Sequence, residues 1–103
     1  MLESNYISKI GNVVDKVKNA TFEVIIKDIQ ITETDNDIVA IMEVQDETGT
    51  MKALLVGEYE EEFTKVVNNL KIGSEYRIRA NVSMLDDELI SGKTLVIKAI
   101  DTM

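Results

Sequence analysis

The sequence predicts a small all-β domain with one main helix: five antiparallel strands closed into a barrel, the helix lying between the third and fourth. Three observations predict it. Five separate stretches alternate apolar with polar residues, the period of two that marks half-buried strands. A single stretch, residues 58–70, carries its apolar residues at helical spacing instead. The elements therefore read β-β-β-α-β-β within 103 residues, a length that supports one core and one domain.

Residues 1–20 precede the barrel and residues 21–103 build it. In the lead-in, Tyr6, Ile7, Ile10, Val13, Val14 and Val17 recur at roughly helical spacing, with Ser4 placed to cap. Gly11 and the β-branched residues weigh against a regular helix, so a short helix or an irregular segment is expected. The first strand is expected at 21–33. Phe22, Val24 and Ile26 share one face, whereas Ile29 and Ile31 are out of phase with them. One extra residue near Lys27 and Asp28, a β-bulge, returns both to the inner face and bends the strand. Thr34 to Asp37 form a turn cluster.

Strands at 38–45 and 50–56 are joined across Asp46-Glu47-Thr48-Gly49. Asp46 is expected to fold its carboxylate onto the amides two residues on, and Gly49 to supply a positive φ. This turn reads as structural, since one carboxylate and a flexible neighbour do not complete an oxygen shell for a metal. Ala40, Met42 and Val44, with Met51, Ala53 and Leu55, then face the core. Val39 and Ile41, with Lys52, Leu54 and Val56, face outward.

In the helix, Tyr59, Phe63, Val66, Val67 and Leu70 form one stripe. Glu58, Glu60, Glu61 and Glu62 crowd its first turn, where the helix dipole favours anions, and Gly73 stands at its end. The fourth strand, 75–83, sets Tyr76, Ile78, Ala80 and Val82 inward and Arg77, Arg79, Asn81 and Ser83 outward. A loop holding Asp86, Asp87 and Glu88 leads to the last strand, 93–100.

Composition excludes several functions. The chain has no cysteine and no histidine, which removes disulfides, thiolate metal sites, the usual zinc ligands and the commonest general base. No nucleophile–base pair or phosphate loop stands in their place, so the chain is expected to be no enzyme and to need no cofactor or metal. It has no apolar run long enough to span a membrane and no signal-peptide pattern, so the expected setting is cytoplasmic, without a membrane partner. The net charge of −8 opposes approach to nucleic acid. A nucleic-acid role therefore needs a local basic stripe.

The stretches "VQDETGTMKALLV" and "LKIGSEYRIRANV", on either side of the helix, resemble the OB-fold nucleic-acid-binding domains of replication and translation proteins. The likeness covers roughly residues 22–101 and rests on Asp46, Thr48, Gly49 and Thr50, and on Leu70 with Gly73. "NNLKIGSEYRIRANVSM" and "GKTLVIKAID" are most similar to the N-terminal OB domain of the PolC-type DNA polymerase III alpha subunit, with the OB domains of replication protein A second. The resemblance implies a five-stranded OB-fold barrel and a non-catalytic single-stranded nucleic-acid-binding module of a DNA replication protein. Its implied partners are single-stranded DNA, held weakly by the isolated domain, and other domains of a larger replication protein. Where such domains often end strand three with an aromatic, this chain has Leu55-Val56-Gly57, so little base stacking is expected.

The residue types that suit phosphate are Lys52, Arg77, Arg79 and Lys98, with Leu54 beside them. The competing reading is that the two arginines are solvated, or paired with the many acids. Val39, Ile41, Leu54 and Val56 form an outward apolar patch, either a protein interface or a surface covered by the N-terminal segment. The alternative functions are accordingly a protein-interaction module or a small subunit of a replication protein A-like complex.

Overall fold

The structure, a computed structural model, describes residues 7–13, 16–33, 38–57, 60–86 and 90–102, with the side chains of 60–64 left aside. Five strands are present: β1 (Val17–Glu33), β2 (Ile38–Asp46), β3 (Gly49–Gly57), β4 (Glu75–Asp86) and β5 (Ser91–Thr102). Helix α1 (Glu60–Asn69) lies between β3 and β4, as the sequence predicts. The strands close in the order β1-β2-β3-β5-β4, and β4 returns to β1. Glu58, Tyr59, the Thr34–Asp37 turn, and Asp87 and Glu88 fall outside the described residues.

One expectation is corrected: the sheet is mixed, not antiparallel throughout. β3 and β5 run parallel, Lys52 to Leu54 against Thr94 to Val96. The reason is arithmetic. A ring with an odd number of strands cannot alternate direction all the way round. The other four pairings are antiparallel, so the parallel pair falls where the ring closes.

The bulge expected in β1 is present. Ile26 pairs with Val44 and Asp28 with Glu43, which leaves Lys27 as the extra residue. It lets one strand serve two partners: residues up to Ile25 pair with β4 and those from Ile25 onward with β2. The bulge restores the inner face only in part, since Ile29 packs on the core but Ile31 is exposed. Phe22, Ile26, Met42, Ile78 and Leu95 are fully buried. Each such side chain contributes about 1.5–3 kcal/mol by leaving water.

The N-terminal segment departs from its helix-like pattern. Only a 3₁₀ turn forms there, at Ile10–Asn12, and β1 begins at Val17 rather than at residue 21. Ile10 is buried in the core and Val13 and Val17 pack against it. The spacing of these residues thus reflects a chain wrapped round the barrel rather than a helix face. At Asn19 the backbone turns to φ +55, a conformation asparagine tolerates better than most residues, and the β1–β4 register slips there. Tyr6, Ser4 and Val14 lie outside the described residues.

Helix α1 rests on the barrel through Val67, with Leu70 partly buried beside it, while Val66 is exposed. The Tyr76 hydroxyl accepts the Lys71 N–H at 2.8 Å and donates to the Asn69 carbonyl at 3.4 Å, so a core tyrosine also closes the end of the helix. Gly73, at φ +91, then turns the chain, and its N–H reaches the Ile26 carbonyl at 2.7 Å beside the bulge.

Candidate nucleic-acid interface

The β2–β3 turn fixes the N-terminal segment. Asp46 Oδ1 accepts the Thr48 N–H at 2.7 Å and the Gly49 N–H at 3.2 Å, and also the Thr48 hydroxyl. Its Oδ2 reaches across to the Ile10 N–H at 2.9 Å, while Thr48 Oγ1 accepts the Gly11 N–H at 2.7 Å. Partial burial pushes the Asp46 carboxyl up, but the donors from Ile10, Thr48 and Gly49 together outweigh it and hold the group below the usual carboxylate range. Lys9 forms an ion pair with Glu47 on the same turn. The Asp-x-Thr-Gly element is therefore a clamp on residues 9–11, a structural use.

The sequence reading of Gly49 needs correcting. Positive φ occurs at Gly73 and Gly92 among the described glycines, not at Gly49. The demanding glycine is Gly11, where a Cβ would stand 2.9 Å from the Thr48 carbonyl oxygen.

The outer surface carries two faces of different chemistry, which meet on β4 at Asn81 and Ser83. On the first, β-pairing aligns three rows. Asp28, Glu43, Lys52, Thr94 and Ser83 make one, with Thr94 itself fully buried, and Gln30, Ile41, Leu54, Val96 and Asn81 the next. Thr32, Val39 and Val56 make the third. The expected patch of Val39, Ile41, Leu54 and Val56 is thus real as a juxtaposition, in two directly opposed pairs. Val96 extends it, and sequence reasoning missed that residue because it required the parallel pairing. Val56 is 43% exposed but Val39 only 7%, so the patch is partly covered. Among the described residues, Val39 and Ile90 are the buried hydrophobics outside the main core cluster. Lys52 lies between Glu43 and Thr94 in its row.

The second face belongs to β1, β4 and the end of β5. Arg77 lies between Glu23 and Asp101, and Arg79 between Thr21 and Ala99. Arg77 is already engaged, its Nη2 and Nε donating to one Glu23 oxygen at 2.6 and 3.1 Å. Arg79 has no ion pair among the described residues. Lys98 is the extra residue where the β4–β5 register shifts, and it is exposed. Lys52 aligns with Thr94, and Arg79 with Ala99 five residues further along β5, a separation of roughly 16 Å at about 3.3 Å per residue. Arg77, Arg79 and Lys98 are brought together; Lys52 and Leu54 belong to the other face.

Among the described residues no cluster of acids or other donors suits a metal, and no helix is long and apolar enough to cross a membrane.

No family model and no curated protein matches the sequence. Solved structures do match. The chain is similar to the second OB-fold domain of replication protein A from Methanococcus maripaludis, with a TM-score of 0.69, 12% identity and 95% of each chain covered. It is similar to part of a replication protein A heterotrimer bound to single-stranded DNA, with a TM-score of 0.67, 15% identity, 94% of this chain and 24% of that one. A third likeness is to Schizosaccharomyces pombe Pot1pC bound to single-stranded DNA, with a TM-score of 0.58, 10% identity, and 96% and 87% of the two chains. At these identities the likeness is one of fold, and the fold is the OB barrel.

Proposed function

We propose that this chain is a non-catalytic, single-stranded nucleic-acid-binding OB module of the replication protein A kind. The observation that carries the reading is the clustering of Arg77, Arg79 and Lys98 on one outer face of a chain whose net charge is −8. A local basic track is what such a chain needs to hold phosphate against its own field. Similarity to OB domains solved with single-stranded DNA supports the choice of ligand. Within this class, residues 68–84 and 92–101 resemble the polymerase III alpha subunit domain, which supports a place within a larger replication protein. The structural likenesses support a replication protein A-like assembly. Titrating ¹⁵N-labelled protein with oligo-dT tests the reading. Amide shifts that gather at 77–81 and 97–99 and shrink with salt are expected. An unchanged spectrum at low salt refutes it.

The apolar rows favour a second reading, docking on another domain or protein. Val39, Ile41, Leu54, Val56 and Val96 offer no aromatic ring for base stacking, and Asp28 and Glu43 flank them. In the same titration, this face stays silent if its partner is protein.

A further inference from the structure

The basic face continues beyond Arg79 into a recess that the sequence did not disclose. An open recess of about 300 Å³ lies at the start of β1, lined by Lys16, Val17, Lys18, Asn81, Val82 and Ser83. Each of its polar side chains carries a donor. Lys16 and Lys18 supply two ammonium groups, both exposed and without ion pairs among the described residues. The Asn81 Oδ1 accepts the Asn19 N–H at 2.9 Å, which leaves the amide NH₂ of Asn81 with two donors outside that bond. Ser83 adds a hydroxyl. Among the described residues no acidic side chain lines the recess. In a chain with 19 acids and 11 basic residues, that is a marked local reversal of charge.

The recess is in line with the arginines. Along the outer face of β4 the order is Arg77, Arg79, Asn81, Ser83, and β1 runs beside it with Val17 opposite Val82 and Thr21 opposite Arg79. The track from Arg77 to Ser83 spans six residues, roughly 20 Å of strand. The β-bulge at Asn19 belongs to the site, because its N–H is what orients Asn81.

We propose that Lys16 and Lys18, with Asn81 and Ser83, form a phosphodiester-binding subsite. It would carry the backbone of a single strand from the Arg77–Arg79 pair along β4 to the start of β1. This deepens the nucleic-acid reading and rests on it. The ligand is a polynucleotide backbone rather than free phosphate, because the donors are spread along a track rather than gathered round one point.

The test measures binding of fluorescein-labelled dT tetramer and dodecamer to the full chain across a salt series. The K16Q/K18Q double variant is compared with K65Q/K71Q, which removes the same charge elsewhere. The expected result for K16Q/K18Q is a loss of about tenfold in dodecamer affinity at low salt, and a salt slope shallower by about 1.4, from two phosphate contacts at ~0.7 each. Tetramer binding should change far less, and K65Q/K71Q should stay near wild type. Equal losses in the two double variants would show a whole-protein field effect and overturn the subsite. So would K16Q/K18Q binding the dodecamer like wild type, or inorganic phosphate displacing it at matched ionic strength. No wild-type binding of either oligomer would refute the nucleic-acid reading itself.

Discussion

Replacing Asp46 with alanine removes the carboxylate that joins the β2–β3 turn to the N-terminal segment. The Ile10 N–H, a partly buried donor, loses a charged acceptor at 2.9 Å. A hydrogen bond to a charged group is worth about 1.5–3 kcal/mol, and this one lies toward the lower end because solvent reaches it. The Thr48 amide is exposed and the part-buried Gly49 amide makes only a long bond of 3.2 Å, so their loss resembles that of a helix cap, about 1 kcal/mol together. The sum, about 2.5–3 kcal/mol, lowers Tm by roughly 10–24 °C for a domain of this size. Asp46→Asn keeps an oxygen for the turn but not both acceptor sites, so it should fall between wild type and alanine. The contribution should also depend on pH with a definite sign. The folded-state pKa is lowered, so the stabilisation is present above about pH 4 and fades as pH falls through the folded value. Urea denaturation at neutral pH and near pH 3, with hydrogen exchange at Ile10, measures all of this. A D46A variant within 0.5 kcal/mol of wild type, or one whose deficit is as large near pH 3, would refute the clamp.

Gly11→Ala should destabilise by about 1–3 kcal/mol, because its Cβ meets backbone at Thr48. Gly49→Ala, whose Cβ would lie 3.7 Å from Ile10, should cost under about 1 kcal/mol; calorimetry ranks the two. Tyr76→Phe should lose about 0.5–1.5 kcal/mol and speed hydrogen exchange at Lys71, whose N–H the hydroxyl accepts. Glu23→Gln should raise oligo-dT affinity a few-fold by releasing Arg77, with the effect fading in high salt. Unchanged binding would show that Arg77 does not touch the strand.

Features that depend on neighbours along the chain were legible in the amino-acid order. Alternation set the inward faces of β2 and β4, as buried Ala40, Met42 and Val44, with Tyr76, Ile78, Ala80 and Val82, attest. A slip of phase located the bulge at Lys27, and helical spacing with a terminal glycine placed α1. These signals are local, because a strand's period and a turn's chemistry are written within a few residues. Which strands meet was settled by the closing of the barrel. Ring closure made β3 and β5 parallel and brought Val96 beside Leu54, and it separated Lys52 from Arg79. The same closure set Glu23 against Arg77 and carried Lys16 and Lys18 to Asn81. It also drew the lead-in, helix-like in its spacing, onto the barrel as a 3₁₀ turn and an early strand, because burying Ile10, Val13 and Val17 outweighs the weak preference of that segment for a helix.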